Sequence, residues 1–294
     1  MENSNQCLSP GKGAASLAVV SQDGIQKIQT LLDKIVANHS AIKEVCFFTG
    51  SSEVGPNPYP SLVKIYHHSG SHNFELRAQL SASKFSFDSV ILIEDHNIID
   101  REWLTIIDNI IDEGLEDQPI QGLITNHASV TLGGWASFMA TGALLAKYTY
   151  TEEVKSIAPY NLIIPTTMLP KQSQPVGYFE FELLPELCQM VEVRSDLLIA
   201  HEQHLNVVEA MISHWSNGCS TGGLIKTRRK KVLPHIKHVL VYRVPYLWRN
   251  LNARRQPKLP HGTKAFACWL KLVHCCGLIW GSCFGAGRAF WRLE

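Results

Sequence analysis

Hydrophobic and polar positions alternate along the first half of the chain in a way that predicts strands and helices in turn. Short apolar runs are typical of strands, and apolar residues that recur every three to four positions are typical of helices. The predicted elements are, in order, a strand at 16–21, a helix at 24–37, strands at 44–49 and 62–66, a helix at 74–84, a strand at 90–93, a helix at 100–114 and a strand at 120–125. This alternation predicts an α/β fold, built on a doubly wound, mostly parallel sheet with helices on both faces.

The second half of the chain continues with helices and extended segments. The pattern predicts a helix at 133–147, an extended segment at 160–165, a helix at 179–188, a strand at 190–200 that ends at His201, and a helix at 207–215. The last of these helices precedes Gly218, Gly222 and Gly223, after which a basic segment begins.

The stretch 90–104 contains the polar cluster on which the functional interpretation depends. Four apolar residues, 90–93, lead directly into Glu94, Asp95 and His96. A continuous Val/Ile/Leu run is typical of a central parallel strand, and open α/β sheets bind ligands outside the carboxyl ends of such strands. Oxygen and imidazole side chains suit a divalent cation such as Mn²⁺ or Mg²⁺. The pattern therefore favours a metal site, and the alternative is a polar strand end that meets water.

Charge is distributed very unevenly, although the net charge of the chain is only +1. Residues 1–209 contain 12 Lys and Arg against 25 Asp and Glu, whereas residues 210–294 contain 15 Lys and Arg against one acid, Glu294. This asymmetry indicates an anionic partner for the second part, either nucleic acid or a membrane surface.

The basic part of the chain is followed by an apolar one. Residues 226–264 contain 12 Lys and Arg and no acid, and residues 265–287 are apolar except for Lys271 and His274. The apolar run has the length of a spanning helix, but these two residues and its glycines favour a monotopic or re-entrant helix at an anionic membrane surface. The apolar run and the lack of an aromatic-basic RNA-binding motif disfavour nucleic acid as the partner.

Cysteine usage and the N-terminus indicate the cellular compartment. None of the eight cysteines forms a C-x-x-C pair, and Cys275 and Cys276 are adjacent, which favours a reducing, cytosolic environment. Residues 1–15 are predicted to form a loose leader, because the first 13 are mostly polar and include Pro10 and Gly11. The apolar run at 14–20 is too short for a signal peptide, which favours a cytoplasmic location.

The motifs occur in an order that resembles family 2 glycosyltransferases, whose fold is called GT-A. The matching positions are a serine after the second strand (Ser51), Arg77-Ala78 in a helix, Glu94-Asp95-His96 at a strand end, Trp103 in the next helix, Trp135-Ala136, Asn161, Glu180 with Leu183 and Leu187, and His201. The resemblance covers about residues 16–230. It implies a nucleotide-binding half at 16–130, an acceptor half at 131–230, and a membrane-associating tail at 231–294.

The resemblance also implies an activity and roles for individual residues. It implies transfer of a hexosyl group from a nucleotide-sugar donor to a glycan or lipid-linked acceptor, with inversion, in bacterial surface polysaccharide synthesis at the cytoplasmic side of the inner membrane. Glu94, Asp95 and His96 would hold a divalent cation and the diphosphate, and Arg77 would pair with phosphate oxygens. Glu180 would remove the proton of the acceptor hydroxyl.

Two positions depart from the family pattern. The first strand usually runs into Pro-x-x-Asn and the second into Asp, whereas this chain has Ser-Gln-Asp-Gly and Thr-Gly-Ser-Ser. Gln22 or Asp23 would replace the first donor contact, and Thr49 with Ser51 would occupy the second. These departures leave the donor open and keep a catalytically degenerate scaffold at the membrane as the alternative.

Several of these residues also have a purely structural interpretation. Glu180 could be the polar member of an amphipathic helix, and His201 could satisfy a backbone carbonyl. Trp103 and Trp135 are expected to pack in the core rather than to bind sugar. Asp100 is expected to cap the N-terminus of the helix that follows it.

Overall fold

The computed structural model describes residues 13–38, 40–69, 72–114, 118–127, 131–142, 144–147, 150, 156–202, 204–251 and 259–285. The strands in these ranges are β1 (Ala15–Ser21), β2 (Ile42–Thr49), β3 (Val63–His67), β4 (Ser89–Glu94), β5 (Asn97–Ile98), β6 (Ile120–Asn126), β7 (Leu162–Pro165) and β8 (Glu192–His201). The helices are α1 (Gln29–Ala37), α2 (Asn73–Arg77), α3 (Arg101–Asp112), α4 (Leu132–Gly142), α5 (Leu184–Met190), α6 (Val207–Thr227), α7 (Val232–Lys237), α8 (Val244–Asn250) and α9 (Thr263–Phe284).

The eight strands form one mixed sheet in the order β3-β2-β1-β4-β7-β6-β8-β5. The pairs β1-β2, β2-β3, β1-β4 and β6-β8 are parallel, whereas β7 is antiparallel to both β4 and β6, and β5 is antiparallel to β8. The predicted α/β class is confirmed, but the sheet is more mixed than expected. Because β7 runs against both of its neighbours, the carboxyl ends of β1, β4, β6 and β8 meet at one edge of the sheet.

Strand β4 lies at the centre and is covered on both faces, as its apolar run predicts. Ile91 and Ile93 belong to the buried cluster formed with α1 and α3, and Val90 and Leu92 belong to the cluster on the other face, formed with α2 and the residues near Phe179. Alternate side chains of a strand point to opposite faces, so a strand buried on both sides needs an apolar residue at every position.

Asn161 ties three parts of the sheet together just before β7. Its backbone has a positive φ of 49°, which Asn tolerates better than most residues. Its side-chain amide donates to the carbonyls of Leu123 and Leu197, each at 2.9 Å, and accepts from the indole of Trp103 at 2.8 Å. Trp103 is 1% exposed, so its predicted place in the core is confirmed.

Several predicted helices are shorter or interrupted. The segment predicted as a helix at 74–84 forms α2 and then a separate 3₁₀ turn, Ala82–Lys84, and the one at 24–37 begins with a 3₁₀ turn, Ile25–Ile28. The helix predicted at 179–188 opens with a π-helical turn, Phe179–Leu183, before α5. Asp100 caps α3 as expected, because its carboxylate accepts from the backbone N–H of Trp103 at 2.8 Å.

Helix α6 is the largest departure from the predicted elements, because it continues through the glycines to Thr227. Gly218 and Gly222 lie against the backbone of α9, and Gly277 and Gly281 of α9 lie against the backbone of α6. A Cβ atom at Gly277 would lie 2.5 Å from the carbonyl oxygen of Trp215, which is closer than real Cβ atoms approach. Glycine is therefore required here by close helix packing, which overrides its weak helix propensity.

The C-terminal part of the described chain is helical and packs on the rest. Helices α7 and α8 are joined by a π-helical turn, His238–Arg243, and α9 packs against α6 and α4. Helix α9 has the length and composition of a membrane-spanning helix, and 39% of its apolar window is buried within the protein. The domain limits stay predictions. Residues 1–12 of the leader predicted at 1–15 lie outside the described residues.

Candidate functional site

A cavity of about 610 Å³ opens at the carboxyl edge of the sheet, and we call it the cleft. Strand ends supply Gln22, Glu94, His96 and His201 to its lining. The opposite walls come from α2 and the residue before it, the end of α4, the segment before β7, α6, and the π-helical turn before α8. Those walls contribute His72, Asn73, Phe74, Arg77, Thr141, Ile157, Ala158, Pro159, Tyr160, Ser213, Asn217, Ser220, Thr221 and Arg243.

Arg77 links the two halves of the chain at the cleft. Its Nε donates to Oε1 of Glu180 at 2.7 Å, and its Nη1 donates to Oε1 of Glu94 at 3.1 Å. The three side chains are only 11%, 20% and 12% exposed, so these ion pairs are largely shielded from solvent. The amide of Asn73 adds a longer hydrogen bond to the same oxygen of Glu94, at 3.4 Å.

His96 lies between the two carboxylates that precede it in the sequence. Its Nε2 is 3.2 Å from Oε2 of Glu94, and its Nδ1 is 3.0 Å from Oδ1 of Asp95. Burial alone would lower the pKa of His96, but the bonds to Asp95 and Glu94 raise it to about 10. Burial alone would raise the pKa of Glu94, but His96 and then Arg77 lower it to about 2. The pair is therefore an imidazolium and a carboxylate at neutral pH.

The residues predicted to hold a metal, Glu94, Asp95 and His96, hydrogen-bond to one another and to neighbouring side chains. Glu94 accepts from Arg77 and His96, and Asp95 accepts from Ser21 and His96. In the part of the chain that the structure describes, no group of three or more His, Cys, Asp or Glu side chains is placed to hold a metal ion. The divalent cation therefore stays a prediction.

His201 packs edge-on against His96, with the ring centroids 4.5 Å apart. Burial, and then the positive charge of His96, lowers the pKa of His201 to about 3, so this ring is neutral. Its Nδ1 is buried, and among the described residues it has no hydrogen-bond partner. This nitrogen of His201 therefore satisfies no backbone carbonyl in the described chain, and the role of His201 at the site stays a prediction.

The structure separates the predicted donor residues into two groups. Gln22 lines the cleft and donates to the side chain of Asn73 at 3.2 Å. Asp23 and Ser51 are not in the lining and take part in turns instead. The backbone carbonyl of Asp23 accepts from the hydroxyl of Thr49 at 2.7 Å, and the hydroxyl of Ser51 donates to the carbonyl of Glu53 at 3.1 Å.

Glu180 and Asp95 also lie outside the lining of the cleft, and each contacts it through a neighbour. Glu180 reaches the cleft through Arg77, and Asp95 through His96. Oε2 of Glu180 is buried and has no hydrogen-bond partner among the described residues. The predicted base therefore has one oxygen engaged by Arg77 and one that is not.

Sequence reasoning missed Arg243, Tyr160 and His72, which all line the cleft. A signal for Arg243 was present, because it is the only cation in the otherwise apolar stretch 239–247. A charge in such a setting often points inward to a polar cavity. Tyr160 directly precedes Asn161, so it is carried to the cleft by the same tight backbone turn. We find no comparable sequence signal for His72.

The fold and the cleft define an α/β protein with a charged cleft at the carboxyl edge of a mixed sheet. No family model matches this chain, and no curated protein matches it. Among solved structures, glucosyl-3-phosphoglycerate synthase from Mycobacterium tuberculosis, in complex with phosphoglyceric acid, is similar over 65% of this chain and 73% of that chain. The identity is 13% and the TM-score 0.40, and a likeness of this size carries no argument about activity.

Proposed function

We propose that this chain is a glycosyltransferase that uses a nucleotide-sugar donor and binds it in the cleft. The observation that most supports this proposal is that Arg77 forms two ion pairs. They join Arg77 to Glu94, 17 positions away, and to Glu180, 103 positions away. The resemblance to family 2 glycosyltransferases assigned these three residues to one active site before any spatial information was used.

The cations of the cleft suit a diphosphate leaving group. Arg77, His96 and Arg243 are in its lining, and a guanidinium can bond two phosphate oxygens at once. When a sugar leaves a nucleoside diphosphate, negative charge develops on the phosphate. Fixed positive groups stabilise that charge without having to reorganise. In this proposal the ion pairs with Glu94 and Glu180 hold Arg77 in place for the phosphate.

Glu180 is the proposed base for the acceptor hydroxyl, through the oxygen that Arg77 does not engage. A positioned general base contributes roughly 10²- to 10⁴-fold to the rate. Inversion follows if this oxygen takes the proton while the hydroxyl attacks from the side opposite the leaving diphosphate. If Glu180 only orients Arg77, its replacement by Gln would weaken donor binding rather than turnover.

We also propose that the protein works at the cytoplasmic face of an anionic membrane, on a glycan or lipid-linked acceptor. Large apolar side chains are exposed on the C-terminal helices, among them Leu233, Tyr242, Trp280 and Phe284. The same part of the chain has a large excess of cations. Co-sedimentation of the full chain with anionic vesicles, and not with neutral ones, tests this, and loss of the difference in high salt would support the electrostatic contribution.

The experiment that tests the activity is a transfer assay with the full chain. Radiolabelled UDP-, GDP- and dTDP-sugars are incubated with the protein and a bacterial lipid extract, and labelled lipid and released nucleotide are measured. We expect one donor to be consumed, and we expect Glu180→Gln to lower turnover by roughly 10²- to 10⁴-fold, a larger loss than its loss of donor affinity. Donor binding without any turnover by wild type would instead support the degenerate scaffold.

A further inference from the structure

A second cavity, of about 300 Å³, adjoins the cleft, and we call it the chamber. It lies between α6, α9 and the π-helical turn before α8. Thr141, Asn217, Thr221 and Arg243 line both cavities, so a ligand bound in one would lie next to the other. The volume is at the small end of the range for sites that bind small molecules.

The chamber is lined by an unusual concentration of nitrogen-bearing side chains. They are His214, His235, His238, Arg243, Lys271 and His274. Among the described residues, no Asp or Glu lines the chamber. Arg243 and Lys271 repel each other where no counter-charge lies between them, so their proximity is unfavourable unless an anion joins them.

Lys271 is the most informative member of the set. It is 8% exposed, and within the described ranges its ammonium makes no salt bridge or hydrogen bond. A buried charge without a partner is costly, and proteins normally retain such a group for a function. Arg243, for its part, donates to the ring of His238 at 3.3 Å and likewise pairs with no carboxylate of the described chain.

The histidines complement the two cations. Burial, and then the charge of Lys271, lowers the pKa of His214 to about 3 and, in the same way, that of His274 to about 4. Neutral imidazoles add no further repulsion, and these two already hydrogen-bond within the protein, His214 to Ser137 and His274 to the backbone of His214. The chamber thus sets the cations Arg243 and Lys271 among neutral imidazoles around one small space.

We propose that the chamber binds a phosphate group, held by Lys271 and Arg243 and by the imidazoles around them. A phosphate monoester has three terminal oxygens, which suit several converging N–H donors better than a carboxylate would. The group could belong to a lipid headgroup or to a soluble phosphate ester. We infer further that the phosphate is part of the acceptor substrate. That step rests on the proposed function, whereas phosphate binding in the chamber does not.

Calorimetric titration of the full chain with inorganic phosphate tests the site directly. We expect saturable binding that is at least tenfold weaker in Lys271→Met, a variant that removes the charge and keeps the side-chain length. Lys237→Met is the matched control, because Lys237 is exposed on α7 and outside the chamber, and we expect its affinity to stay within twofold of wild type. Equal affinity of wild type and both variants for phosphate would mean that the phosphate is an adventitious ion only, and it would overturn the proposal.

A second variant keeps the test valid if Lys271→Met does not fold. His274→Gln removes one imidazole from the same wall, and we expect at least threefold weaker phosphate binding. Nucleotide binding in the cleft is measured on the same samples. If wild type binds phosphate but no nucleotide, the proposed function is wrong and the phosphate site in the chamber stands. If wild type binds a nucleotide but no phosphate, the phosphate site is wrong and the proposed function stands.

Vesicle binding distinguishes the two sources of the phosphate. Phosphatidate vesicles present a terminal phosphate. Phosphatidylglycerol vesicles, prepared with the same total negative charge, do not. A lipid ligand predicts a preference for phosphatidate vesicles that Lys271→Met abolishes, and a soluble ester predicts binding of free phosphate without any lipid preference. If wild type and Lys271→Met have the same affinity for free phosphate and also for phosphatidate vesicles, the proposal is contradicted.

Discussion

Arg77 is the residue on which the site depends, because it neutralises two largely buried carboxylates. Replacing it with Met leaves Glu94 and Glu180 without their shared cation, and breaking a buried pair in this way costs roughly 3–5 kcal/mol. Denaturant unfolding of Arg77→Met measures the loss. Arg194→Met is the control, since Arg194 pairs with the more exposed Asp196 and should cost about 0–1 kcal/mol. Equal small losses in both variants would contradict the role of Arg77.

Two residues with oppositely shifted pKa values give a pH signature. His96 titrates at a pKa of about 10 in the folded protein against 6.5 normally, so its stabilisation is complete below 6.5 and is lost as pH rises through 10. Lys271 is shifted by burial, and then by Arg243, from 10.5 to a pKa of about 7, so the unfolded chain binds the extra proton between these values. Its contribution to stability therefore rises with pH over that window.

The two contributions oppose each other, and variants should separate them. Between roughly pH 8 and 9.5, His96→Gln should make the slope of unfolding free energy against pH more positive than in wild type, by about 1.4 kcal/mol per pH unit. Lys271→Met should make it more negative by a similar amount. Denaturant unfolding at a series of pH values measures both slopes. A shift of the same sign in both variants would show that at least one of the two protonation states is misassigned.

Some residues of the site could be predicted from the sequence, and others could not. Glu94 and His96 were predictable because an apolar strand brings polar residues to one sheet edge, and Arg77 was predicted through the resemblance to family 2 glycosyltransferases. Asp23 and Ser51 were expected there too, but the hydroxyl of Ser51 bonds within its own turn, and Asp23 is exposed outside the lining of the cleft. The local pattern of a strand end does not reveal whether a side chain bonds to its own turn or faces a cavity.

At the scale of elements, the contact between α6 and α9 is the one that depends most on glycine. A methyl group at Gly281 would collide with the backbone of Cys219, so Gly281→Ala forces the two helices apart. Overpacking of this kind costs typically about 1–3 kcal/mol, despite the better helix propensity of Ala. Thermal unfolding compares this variant with Cys276→Ala, an exposed change on the same helix. Similar melting temperatures for the two variants would rule out close packing at Gly281.

The same contact explains why the end of α6 could not be predicted. Read alone, Gly218, Gly222 and Gly223 indicate a helix end, because glycine weakens an isolated helix. The partner that requires Gly218 and Gly222, α9, begins at Thr263, after two further helices. Glycines spaced four apart occur in both helices, and that spacing was the available signal. A prediction that considered the two helices as a pair would have extended α6.

At the scale of the whole molecule, the alternation of strands and helices was enough to predict an α/β sheet with β4 at its centre. It was not enough to predict that β7 runs antiparallel, because the direction of a short apolar strand is set by the connections around it. The basic segment was expected to lie on a surface. Arg243 of this segment lines the cleft, and Lys271 of the apolar run that follows lines the chamber, so part of the positive charge lies inside the molecule.

Nucleotide binding by the full chain is the most direct test of the central claim. UDP, GDP and dTDP are titrated into wild type and Arg77→Lys, with and without Mn²⁺, and folding of each sample is confirmed by circular dichroism. We predict that one nucleotide binds at a single site and that Arg77→Lys, which cannot make the two-pronged contact, weakens it at least tenfold. Stronger binding with Mn²⁺ than without it would support the predicted divalent cation. If none of the three binds to folded wild-type protein, the cleft is not a nucleotide-sugar site.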